Sequence, residues 1–118
     1  MYEGVKERYF LYFTGIFNPV YEQYKLKDDS KYARQRFSSL QTLSENSIQP
    51  LIDDYEFHGC GILSGDDSLK QMIESVINTK NSCHNNSFSV GDVIKVFHAN
   101  NQYFYYVDPI GLKQLSIF

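Results

Sequence analysis

The chain has three histidines, His58, His84 and His98, and two cysteines, Cys60 and Cys83. Thiolate and imidazole are the groups best suited to nucleophilic and acid–base work near neutral pH. His58 and Cys60 stand two residues apart. On an extended strand they share a face, as a thiol–imidazole pair requires. The surrounding run, Tyr55-Glu-Phe-His-Gly-Cys-Gly-Ile-Leu63, reads as a buried strand, where a cysteine serves as a small core hydrophobe. His98 sits just before a turn and has no partner at catalytic spacing. Cys83 and His84 lie in a polar run. The cysteines fit no zinc pattern, and their small number suits a reduced, cytoplasmic protein.

Two acidic pairs, Asp53-Asp54 and Asp66-Asp67, offer oxygen ligands of the kind a hard cation takes. Asp66-Asp67 stands directly before a helical stripe, where a carboxylate caps the helix and meets its positive end. No phosphate-binding glycine loop and no metalloprotease helix is present. The residues therefore point to no catalytic set, no metal and no cofactor, and to a protein that is not an enzyme. A small enzyme of unrecognised type, such as a hydrolase, stays as an alternative.

These residues need a scaffold, and 118 residues make one domain, 1–118. A formal net charge of −3 weighs against a general nucleic-acid binder. One basic run, Lys25, Lys27, Lys31, Arg34 and Arg36, is offset by Asp28 and Asp29. Ten tyrosines and nine phenylalanines, with no tryptophan, suit a small sheet core with aromatic margins. The segment Tyr9–Phe17 is too short to span a bilayer and reads as a strand. It makes residues 1–18 an N-terminal strand extension and leaves the chain with no membrane association.

A second strand follows Pro19, with Val20, Tyr24 and Leu26 on one face and Gln23, Lys25 and Lys27 on the other. Lys31–Phe37 stays open between loop and short helix. Ser38-Ser-Leu-Gln41 fits a capping box, followed by a short helix from Ser39 to Asn46 that buries Leu40 and Leu43. In the strand Tyr55–Leu63, Gly59 and Gly61 share a face, which implies a backbone, helix or partner close above it. Leu69, Met72, Ile73, Val76 and Ile77 make a helical stripe. Thr79–Ser87 reads as a polar loop.

Asp92–Ala99 and Gln102–Val107 form a hairpin around an Asn100-Asn101 turn of type I′. That register sets Phe97 against Phe104 and Val96 against Tyr105. Both faces are largely apolar, so the hairpin is central or one face is an interaction surface. Tyr103, Tyr105 and His98 are the candidates for that surface. Asp92, Asn100, Asn101, Asp108 and Gly111 are the framework that places the strands. Pro109-Ile-Gly111 leads into a last strand, Leu112–Phe118. The fold class is α+β: a small, mostly antiparallel sheet with about two helices packed on it and a C-terminal β-hairpin.

Tyr21–Asp28, Arg34 with Arg36-Phe-Ser-Ser39, Ser87-Phe-Ser-Val-Gly-Asp-Val-Ile94, Tyr105-Tyr-Val-Asp108 and Gly111 carry a likeness. In this order the chain from 19 to 118 resembles the YodL-like domain of Gram-positive bacteria, their phages and their conjugative elements. It departs at Gly91, where the family commonly has serine, and at Leu112, where it commonly has an aromatic. The resemblance implies a non-enzymatic accessory domain of a mobile element. Its expected partner is a host protein, with host-defence systems among the targets. Nucleic-acid binding, by tyrosines stacking bases beside the basic run, is the alternative.

Overall fold

A computed structural model of the chain describes residues 18–63, 68–82 and 87–118. The strand expected over Tyr9–Phe17, the Ser64–Asp67 turn and cap, and Cys83-His84 lie outside them. The described strands are β1 (Val20–Leu26), β2 (Tyr55–Ile62), β3 (Val93–His98), β4 (Asn101–Asp108) and β5 (Gly111–Leu115). All pairings are antiparallel, in the order β2-β1-β3-β4-β5. Two helices, α1 (Leu40–Glu45) and α2 (Leu69–Ser82), complete an α+β domain.

The two apolar faces of β3 and β4 follow from this layout, because the sheet carries a helix on each side. Along β3, side chains alternate between faces. Ile94 and Val96 join Tyr21, Tyr105 and Leu112 against Met72 and Ile73 of α2. Val93 joins Tyr24, Tyr55, Tyr106 and Leu115 against Leu43 of α1. Burial of an anchor such as Ile73 contributes about 2–3 kcal/mol. The expected stripe thus faces the sheet, with Leu69, Val76 and Ile77 at its margin.

Several local details differ from expectation. The hairpin pairs Phe97 with Gln102, Val96 with Tyr103 and Ile94 with Tyr105, two residues away from the expected register. Its turn is Ala99-Asn100, and Asn101 already lies in β4 opposite His98. Ala99 holds the positive φ, 55°, as the first central residue of a type II′ turn does. A slip of two keeps every side chain on its expected face, because the strand period is two.

The cap of α1 is Ser39 rather than Ser38: its hydroxyl accepts from the Thr42 amide at 3.1 Å. Gln41 does not reach back and instead donates to Glu45. Lys31–Phe37 contains a 3-10 turn at Ala33–Gln35. The α2 helix continues through Thr79 to Ser82, where a loop is expected. No glycine or proline interrupts it, and Thr79 Oγ1 donates back to the Ser75 carbonyl. The glycine face of β2 is covered by a neighbouring side chain. The Tyr21 ring lies across Gly61, so a Cβ there would sit 2.8 Å from Tyr21 Cε1.

Candidate interaction site

The segments that carry the resemblance meet at one corner of the sheet, and Asp92 organises it. Its Oδ2 accepts from Lys25 Nζ at 2.8 Å, from the Ser89 amide at 2.9 Å and from Gln23 Nε2 at 3.1 Å. Gln23, only 1% exposed, also donates to the Ser87 carbonyl. A carboxylate this buried is tolerated because a cation and two amide donors replace its water. The link holds the loop before β3 against β1.

Asp108 does comparable work one strand pair away. Its Oδ1 accepts from the Leu40 amide at 2.7 Å, one of the N–H groups that the start of α1 leaves unpaired. Tyr106 donates its hydroxyl to the Ser38 carbonyl, and Tyr55 donates to the Gly91 carbonyl at 2.9 Å. Both phenols are pushed toward the neutral form, chiefly by burial. Tyr106 rises to about 12, with Asp108 and Asp92 adding to the effect. Tyr55 also rises, through burial, then Tyr106, Asp92 and Asp54.

These bonds clamp the loop that presents Phe37. Phe37 has φ 70° and is 63% exposed. Left-handed backbone is costly for a bulky residue and persists only where its surroundings enforce it. Gly91, at φ 100°, approaches the Phe37 backbone so closely that a Cβ would lie 3.3 Å from its nitrogen. Phe37 stands over a cleft of about 240 Å³ lined by Lys25, Arg36, His58, Glu56, Asp28 and the Ser89–Asp92 loop. Two ion pairs lie in it, Lys25 with Asp92 and Arg36 with Asp28 at 2.8 Å, and His58 Nε2 stands 3.3 Å from Glu56 Oε1. The Arg36 guanidinium also donates to the Leu26 carbonyl. The corner thus sets an exposed aromatic ring beside these polar pairs.

The expected surface of Tyr103, Tyr105 and His98 is not assembled. Tyr105 is 8% exposed and belongs to the core under α2, because the helix covers that face. Tyr103 is half-buried at the margin of the same core, and His98 is exposed at the hairpin end. Asn100 occupies the turn, while Gly111, at φ 127°, pairs with Asp108 across the second hairpin. His58 lines the cleft, whereas Cys60 packs against Val20 and Phe97, so the structure does not join them. Among the described residues no cluster of three or more His, Cys, Asp or Glu could hold a metal ion. Most of the basic run is engaged: Lys27 donates to the Asp53 carbonyl, and Lys31 lies over the Tyr32 ring. Phe37 is the residue that sequence reasoning missed. Its only signal is membership of the Arg36–Ser39 segment.

The model of the YodL-like domain matches residues 20–118. The chain belongs to the YodL-like domain family. The match spans both loops of the Phe37 corner and the whole described sheet. No curated protein and no solved structure matches the chain.

Proposed function

We propose that this YodL-like domain is a non-enzymatic protein-binding module that docks its partner on Phe37 and the cleft beneath it. The observation that carries the reading is the ring itself. It is exposed, yet its backbone is held at φ 70° by the Ser87–Asp92 loop and by the bonds of Tyr55 and Tyr106. Presenting a rigid aromatic side chain lowers the entropy lost on association. The likeness to domains of phages and conjugative elements supports a mobile-element protein acting in the cytoplasm on a host protein, host-defence components included. No described helix is long and apolar enough to cross a membrane. The nucleic-acid reading is the weaker one, because Lys25, Lys27, Lys31 and Arg36 already have partners in the chain.

A photo-crosslinker at position 37, compared with one at exposed Ile110, tests the proposal in host extract. The expected result is a protein crosslinked from position 37 alone, displaced by unlabelled domain but not by Phe37→Ala. A saturable, salt-sensitive nucleic-acid adduct, or equal yields from both positions, would overturn it.

A further inference from the structure

The opposite edge of the sheet offers a second surface, independent of Phe37. β5 ends the strand order, and among the described residues no strand lies beyond it. An open edge presents unpaired N–H and C=O groups that a further strand can take up. Beside it, between α1 and β5, runs a groove of about 450 Å³. Leu40, Ile48 and Leu115 give it apolar wall, and Ser44, Gln49 and Gln114 give it uncharged polar rim.

Lys113 and Leu115 set the chemistry of what fits. They pair with Tyr106 and Phe104, two residues of the core on the α1 side, so both belong to the face where the groove lies. Lys113 is exposed, and among the described residues it makes no ion pair. On an added strand, the residues opposite Lys113 and Leu115 would share this face. The complementary pair is a carboxylate opposite Lys113 and an apolar side chain opposite Leu115, directed into the groove. A second copy of β5 centred on Lys113 would instead set two ammonium groups face to face.

We propose that β5 binds an extended segment of another protein as a sixth, antiparallel strand, and that the segment reads apolar, any residue, acidic. Main-chain bonds supply affinity in this mode, and the side-chain pair supplies selection. The proposal goes beyond the Phe37 reading and stands or falls without it.

The probe is a capped peptide, Thr-Ile-Thr-Glu-Thr-Val, titrated into the ¹⁵N-labelled full chain. Saturable shifts are expected in residues 111–115 and in α1, with new exchange protection at alternating β5 amides. Lys113→Glu, a surface change, should weaken this peptide by about two- to fivefold. Replacing the peptide's glutamate by lysine should restore binding to the variant. No saturable shift up to about 1 mM would overturn the proposal. So would shifts confined to the Phe37 corner, an affinity unaltered by Lys113→Glu, or concentration-dependent shifts of β5 without peptide, which would indicate self-pairing.

Discussion

A Cβ placed on Gly91 would lie 3.3 Å from the backbone nitrogen of Phe37. The contact joins the two loops of the candidate site, and both residues have positive φ. Gly91→Ala therefore meets two costs: left-handed backbone and pressure on the Phe37 loop. At Gly111 the φ is 127°, but nothing lies within 4 Å of a new Cβ. Gly111→Ala should cost about 1–2 kcal/mol from backbone strain. Gly91→Ala should cost more, about 2–4 kcal/mol, since steric pressure adds to strain. Urea midpoints of the two variants measure the difference. A smaller loss at Gly91 than at Gly111 would count against the loop contact.

Alkaline pH should unfold this domain early. Tyr106 rises from an ordinary 10.0 to about 12, and Tyr55 rises as well. An unfolded tyrosine releases its proton near 10, while the folded one keeps it. The stabilisation is therefore complete below pH 10.0 and is lost as pH climbs toward about 12. Each such tyrosine lowers stability by about 1.4 kcal/mol per pH unit in that window. Tyr106→Phe should cost about 1–2 kcal/mol at neutral pH, because the Ser38 carbonyl loses its donor, and should flatten the alkaline decline. Denaturation curves at a series of pH values from about 8 to 11 check both effects.

Strand faces were legible in the sequence because they depend only on alternation. Val93, Ile94 and Val96 fall on their expected sides even though the hairpin slips by two residues. Asp92 was legible for a related reason: a carboxylate at the end of a turn finds amides, and the Ser89 amide is one of them. The turn was not, because the local preference of Asn100-Asn101 yields to the pairing of His98 with Asn101, and Ala99 takes the positive φ. Phe37 was hidden for a deeper reason. Its conformation is enforced by Tyr106, Tyr55 and Gly91, all distant in sequence, and an aromatic residue carries no propensity for left-handed backbone. Tyr21 over Gly61 likewise becomes visible only once β1 and β2 are paired.

The start of α1 depends on a side chain from β4. Asp108 accepts from the Leu40 amide, while Ser39 accepts from the Thr42 amide. Asp108→Ala removes the first acceptor and should cost about 1–3 kcal/mol. Asp108→Asn keeps an oxygen in place and should cost less. Ser39→Ala should cost about 1 kcal/mol. Amide exchange at Leu40 should accelerate more for Asp108→Ala than for Ser39→Ala, and the reverse order would reject this assignment of caps.

Gly61 tests how β2 is held against β1. An added Cβ would come within 2.8 Å of Tyr21 Cε1, and the Tyr21 ring is buried beside Phe88 with 6.2 Å between ring centroids. The ring cannot swing outward without opening the core under α2. Gly61→Ala should therefore destabilise the fold by about 1–3 kcal/mol. Gly59→Ala meets only Gln23 Oε1, at 3.8 Å, and should be nearly neutral. The discriminating variant is Tyr21→Leu combined with Gly61→Ala. A shorter side chain leaves room for the new methyl, so the alanine should cost less on that background than on the native one. Equal costs on both backgrounds would show that the Tyr21 ring is not what forbids a side chain at position 61.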